Sequence, residues 1–378
     1  MKIIFLLIIT IIQLVKDDNV ELPLSCLNFG GDPIFRTNFY EEGILRNYPI
    51  NTYLSFSLLT LDKLNDSRIS TSERIYLDRS YETHRYSSSF KFDDLLVENY
   101  SFYTLGDDLR LYQDYGFALG YHYKDESFSF VDILHKKGKI SQKQFSFYNM
   151  NENIDKSERH FYLGTIPRDV QTNFKYKGVM KVNEDLPTWG STFNSIIHNG
   201  KEHKINLPCI ISSSALSLIS SNDVYLLFTN IFRKELYNHL CNKTDDPDFL
   251  RNRESFQCEG LEIKNDSVDI VIDNTVYKFR MNDFFRKEQL LISSNGKEKV
   301  HNFTGVILGM NFIGKFNVSL FDYERKQVEF YSDVFPIIFH NKNEYANMIY
   351  IAIVIIVLCF GNSIILIIFK HKGFHIVL

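Results

Sequence analysis

Ile210–Ser220 reads IISSSALSLIS. Two β-branched residues run into three serines, and an apolar, hydroxyl-rich run follows. β-branched residues suit a pleated, buried strand, and clustered serines suit a turn. The stretch therefore predicts a core strand entering a tight turn. Three serines at such a place allow several readings, the remains of another motif among them. They form a nucleophile cluster, or their hydroxyls satisfy backbone groups in the turn. A nucleophile elbow needs Gly-x-Ser-x-Gly, and Ser213 has a serine on either side and neither glycine. His198 and His203 upstream and Asp223 downstream allow a triad on paper. A triad is a geometry and not a sequence neighbourhood, so the turn reading is preferred.

The flanks of this stretch set the class. The chain has 378 residues, 44% of them hydrophobic, which is enough for one large or two medium domains. A formal net charge of -4 gives no basic face for nucleic acid. Short segments such as NTYLSFSLLTL (51–61), SFSFVDIL (127–134), KQFSFYNM (143–150), RHFYLGTI (159–166) and VDIVIDNTVYKFRM (268–281) read as strands. Helical patterns are brief: DILHKKG from Asp132, and SNDVYLLFTNIFRKELYNHLC from Ser221. In the second, Val224, Leu227, Phe228, Ile231 and Phe232 recur at helical spacing, with Asn222 or Asp223 as candidate cap. The class expected is mainly β with a few short helices. HExxH, CxxC and phosphate-cradling glycine loops are absent from the sequence, so no metal site and no cofactor is expected.

The ends predict targeting. Met1-Lys2 precedes the apolar run IIFLLIITIIQLV, which KDDN ends, so 1–16 reads as a signal peptide. Between Met348 and Phe369 there is no charged residue, and Lys370, His371 and Lys372 follow. That predicts a transmembrane helix over 347–369, a short cytoplasmic tail over 370–378, and a single-pass type I ectodomain in the secretory pathway or at the cell surface. A GPI signal would end in its apolar tail instead. Sequons at Asn65, Asn99, Asn242, Asn265, Asn302 and Asn317 agree with an extracytoplasmic chain. Cys241 and Cys258 bracket a polar loop that a disulfide would staple. Cys26 and Cys209 pair with each other or stay as free thiols.

Several segments, in order, resemble the pepsin-like aspartic protease family. They are DYGFALGY (114–121), FVDILHKKGKISQKQFSFYN (130–149), HFYLGTIPRDV (160–170), Trp189 with FNSIIHNG (193–200), PCIISSSALSLISSNDVYLLFTNI (208–231) and CNKTDDPDFLRNRESFQC (241–258). The most specific is GVILGMNFIGKFNVSLFDYERKQVEFY (305–331), similar to the family's closing hydrophobic-hydrophobic-Gly segment and strand pair. The resemblance implies a bilobal acid-protease fold, with an N-terminal lobe over 17–180, a C-terminal lobe over 181–340 and a long cleft between them.

The family's chemistry uses one Asp from each lobe, each opening an Asp-Thr/Ser-Gly triplet. Two carboxylates that close cannot both ionise, so one keeps a proton while the other activates water. On this chain the second triplet falls on Ser212-Ser213-Ser214. Ser212 stands where the resemblance expects Asp, and a serine hydroxyl does not ionise in the useful range. No Asp-Thr-Gly or Asp-Ser-Gly occurs anywhere. For the first lobe the weak candidates are Glu41 and Glu42 in FYEEG, and Asp62 in LLTLDKLNDS. A glutamate would carry its carboxyl about a methylene too far, and such misplacement is costly. No flap tyrosine is recognisable between Lys63 and Asp108. The expectation is therefore a membrane-anchored, catalytically inactive pepsin-like protein that binds a peptide or protein in its cleft. The alternative is an active aspartic endopeptidase with a non-standard acid pair.

Overall fold

The computed structural model describes residues 19–339 apart from 30–31, 42–43, 53–56, 58–68, 77–79, 93–94, 105–116, 122–128, 151–157, 167–173, 187, 214, 216–217, 239, 246–253, 260–265, 287–288, 291, 295–302 and 334–336. Strands dominate, as the short alternating segments require. Among the described residues they form sheets of twelve, eight and four strands.

The twelve-stranded sheet interleaves early and late parts of the chain. Tyr176–Lys181, Gln327–Ser332 and Val318–Asp322 run into Gln144–Tyr148, then His160–Gly164 and Asn19–Phe29. The junction is antiparallel, with Phe321 opposite Phe145 and Val318 opposite Tyr148. Alternation sends Phe145, Phe147, Phe161, Phe321 and Phe330 into the core. Phe145 and Phe321 stack at 4.5 Å, and Trp189 meets Phe321 edge-on at 5.2 Å. Such pairs add about 0.5–1.5 kcal/mol each beyond the area they bury.

The eight-stranded sheet is built on two tight hairpins. Gly190–His198 returns as Lys201–Ile211 through Asn199 and Gly200, at φ 50° and 72°. Val268–Ile272 returns as Thr275–Tyr277 through Asp273 and Asn274, at φ 49° and 61°. Two consecutive positive φ values match the twist of the flanking strands. The segment 268–281, expected as one strand, is thus a hairpin followed by the 3-10 turn Met281–Phe284. SFSFVDIL departs further: Phe130–Lys136 is a helix that buries Phe130, Val131 and Leu134. The second helical pattern forms two helices, Asn222–Ile231 and Arg233–Asn238. Ser221 sits at the cap position, not Asn222 or Asp223, and no side chain caps the helix.

The expectation of a transmembrane helix is corrected. Among the described residues no helix is long and apolar enough to cross a membrane. The longest, Asn222–Ile231, has 10 residues and spans about 15 Å, against roughly 30 Å of bilayer core. The supported class is mainly β, multi-sheet and pepsin-like in its bilobal plan. Membrane anchoring, the membrane as a partner and single-pass type I topology are set aside with the helix. The segments expected as signal peptide (1–16), span (347–369) and tail (370–378) lie outside the described residues.

Candidate functional site

Ile211 ends its strand as expected, and Ser212 and Ser213 follow, both buried. Cys209–Ile211 runs parallel to Val306–Leu308, and the pairing continues as Ser212 N–H donates to Leu308 O at 3.0 Å. Gly305 precedes that partner strand because nothing larger fits. A Cβ there would lie 2.2 Å from Pro208 O.

An equivalent arrangement occurs in the first half of the chain. Ile44–Asn51 runs parallel to Phe117–Ala118, and Thr52 follows, buried. Thr52 and Ser213 then hold each other. Ser213 N–H donates to Thr52 Oγ1 at 2.8 Å, and Thr52 N–H donates to Ser213 Oγ at 3.0 Å. Each hydroxyl passes its own proton across. Ser213 Oγ donates to Ile50 O at 2.8 Å, and Thr52 Oγ1 donates to Ile211 O at 3.3 Å. Four hydrogen bonds thus join two strand ends, and every polar atom of the two hydroxyls is used.

The surroundings fix the first strand end further. Thr188 Oγ1 donates to Thr52 O at 2.9 Å. Ser57, beyond Thr52, accepts Ala118 N–H at 2.9 Å and shares a hydrogen bond with the Tyr100 hydroxyl. Its carbonyl accepts Tyr103 N–H at 2.9 Å. Burial pushes the Tyr100 hydroxyl well above the ordinary phenol range, so it stays protonated. Trp189 Nε1 donates to Leu119 O at 2.6 Å, and the Tyr323 hydroxyl donates to the same oxygen at 2.8 Å.

The turn reading of the serines holds for Ser213, whose hydroxyl serves backbone groups. The paper triad does not assemble. His203 lies early in Lys201–Ile211, pairing with Ile196. At about 3.3 Å per residue it is more than 20 Å from Ser212 along the strand. His198 is at the far hairpin, bonded to Asn199, and Asp223 is exposed at a helix start. Among the first-lobe candidates, Glu41 pairs with Ile44 at the far end of the strand that leads to Thr52, about 26 Å away by strand rise. Glu42 and Asp62 lie outside the described residues. Thr52 itself was not anticipated. The signal for it is Ile50-Asn51-Thr52, an Ile followed by a neutral polar residue and then a hydroxyl, as in Ile211-Ser212-Ser213.

Of the cysteines, Cys241 and Cys258 form a disulfide between directly opposed residues of Leu240–Asp245 and Glu254–Glu259. Cys209 is a free, fully buried thiol, pushed up to about 12 chiefly by burial. Among the described residues no group of His, Cys, Asp and Glu is arranged to hold a metal ion.

The fold has solved counterparts. An aspartic proteinase from Irpex lacteus is similar at a TM-score of 0.61 and 12% identity, over 85% of this chain and 100% of that one. Basic 7S globulin from soybean gives 0.61 and 16%, over 83% and 94%. Conglutin gamma, a basic 7S globulin from lupine seeds, gives 0.62 and 14%, over 84% and 95%. At these identities the likeness shows the pepsin-like fold alone. No protein-family model matches the chain, and no curated protein matches it.

Proposed function

We propose that this chain is a pepsin-fold protein without the proton-sharing acid pair, which holds a peptide or protein segment between its lobes without cutting it. The lobes are taken as 17–180 and 181–340. One observation carries the reading: the mutual hydrogen bonds of Thr52 and Ser213. They support taking Asn51 and Ser212, each one residue earlier, as the counterparts of the two aspartates that the pepsin-like family uses.

Neither residue can do an aspartate's work. The reaction needs one carboxyl to hold a proton while its partner takes one from water. An amide and an aliphatic hydroxyl do not ionise over the pH range of peptide hydrolysis. The two strand ends that would present them are in place and are joined by the crossed hydroxyls. The same fold is carried by a proteinase and by two globulins, so fold does not decide activity. The Cys241–Cys258 bond favours an oxidising, secretory compartment for this work.

The test is incubation of the purified protein with a broad peptide mixture from pH 3 to pH 7. Peptides recovered intact, some of them retained on the protein, support the reading. Pepstatin-sensitive cleavage would overturn it. Asn51→Asp with Ser212→Asp is the companion variant. If these are the aspartate positions, the double variant binds pepstatin at acid pH and the parent does not.

A further inference from the structure

We propose that Asn99 and Asn242 carry N-linked glycans and that Asn317 stays bare. The inference rests on the secretory compartment proposed above. The modification transfers an oligosaccharide from a lipid-linked pyrophosphate donor. A bond forms between Asn Nδ2 and the anomeric carbon, the bond from that carbon to pyrophosphate breaks, and the amide loses one proton. The acceptor amide must reach the transferase, and the product must leave room for a large solvated group when the chain folds.

Asn99 meets both needs through a bulge. Tyr100 pairs with Ser88 and Val97 with Phe90, so Glu98 and Asn99 together oppose one residue, Ser89. Val97 and Tyr100 are both fully buried, and both residues between them are exposed. The extra residue breaks strict alternation and turns Asn99 outward. Its φ of 51° is a conformation that Asn tolerates better than most residues. Asn242 meets them through ordinary alternation. Cys241 packs against the core and bonds Cys258, so the next residue faces the other way. Asn242 is exposed, opposite Gln257.

Asn317 is held differently. Its N–H donates to Tyr331 O and its carbonyl accepts Asn149 N–H. Its side-chain oxygen accepts Asp333 N–H at 3.1 Å, which turns the carboxamide back onto the protein. The two residues completing its sequon, Val318 and Ser319, are buried to 1% exposure, and the Ser319 hydroxyl donates to Ile313 O. A sugar there would have to grow from a half-buried side chain already bonded to Asp333 N–H.

The full chain is expressed in a eukaryotic secretory host, and folded protein is treated with peptide N-glycosidase in heavy-oxygen water. Each occupied Asn becomes labelled Asp, located by peptide mass spectrometry. Label at Asn99 and Asn242 with none at Asn317 supports the proposal. Label at Asn317, or its absence from either other site, overturns it. Absence of label everywhere with the Cys241–Cys258 bond formed overturns the glycan assignment alone. Absence of both label and bond overturns the compartment reading as well. On gels, Asn99→Gln and Asn242→Gln each remove one mobility step, and Asn317→Gln removes none.

Discussion

The Thr52 and Ser213 hydroxyls, far apart in sequence, each accept the other's backbone N–H and each donate to the carbonyl two residues before the other. Removing one hydroxyl leaves a buried N–H and a buried carbonyl without partners. Ser213→Ala is expected to lower stability by about 2–6 kcal/mol, since each of the two orphaned groups costs about 1–3 kcal/mol. Thr52→Val keeps the shape and is expected to cost a similar amount. The double variant is expected to cost clearly less than the sum of the two. Denaturant midpoints at unchanged m-value check all three.

Ser212 is 2% exposed, so a carboxyl placed there meets a desolvation penalty. Its folded pKa is expected above its unfolded one. A group shifted that way binds more protons when folded, so stability falls as pH rises through the gap. Ser212→Asp is therefore expected to melt below the parent at pH 7, and the difference should shrink toward pH 4. Thermal unfolding across that range reads it directly. A pH-independent difference would place residue 212 in contact with water.

Asp269 carries the same sign in the natural chain. Burial raises its pKa, and nearby Lys278 only partly offsets this. One of its oxygens is buried without a hydrogen-bond partner among the described residues. Asp269→Asn removes the charge and is expected to stabilise the protein at pH 7. The side chain is only partly buried, so solvent screening holds the gain below about 1 kcal/mol. The gain disappears as pH falls and the natural carboxyl protonates.

Cys209 should be chemically silent in the folded protein. It is fully buried and its thiol is pushed up to about 12, so thiolate is scarce and a reagent has no path to it. Alkylation at pH 8, mapped to the Cys209 peptide, is expected only at the rate of global unfolding. Denaturant should accelerate it in step with loss of structure.

Trp189 is the single tryptophan and is fully buried against Tyr121, Phe145, Phe321 and Tyr323. Its emission should be blue-shifted in the native state and move red on unfolding. Trp189→Ala empties the centre of that cluster and is expected to cost about 3–5 kcal/mol. Trp189→Phe should cost less, losing mainly the hydrogen bond to Leu119 O.

What was legible in the sequence follows from where local chemistry and packing agree. Gly305–Tyr331 resembled a closing strand pair, and the structure has Val306–Leu308, Val318–Asp322 and Gln327–Ser332 there. Asp273-Asn274 was hidden inside an apolar run, and only the hairpin's pairing shows that the chain reverses. SFSFVDIL alternates like a strand, yet its aromatic residue at 130 is buried from a helix, because packing among Phe92, Phe117 and Tyr100 outweighs the local pattern. Thr52 is not an acid, and nothing beside it in the sequence marks it as half of a pair. Its partner is 161 residues away, and no local spacing links it to Ser213.

Leu119 O takes two donors at once, the Trp189 indole and the Tyr323 phenol. Both of its lone pairs are filled from later parts of the chain. If synthesis stopped before residue 189, that oxygen would face an aromatic cluster still missing Trp189, Phe321 and Tyr323. The Gln144–Tyr148 strand would likewise lack its neighbour Val318–Asp322. The early half is therefore expected to finish packing only after residues 189–323 have been made. Until Tyr323 has been made those aromatic side chains lack their native partners, and unpaired apolar surface of that kind favours association.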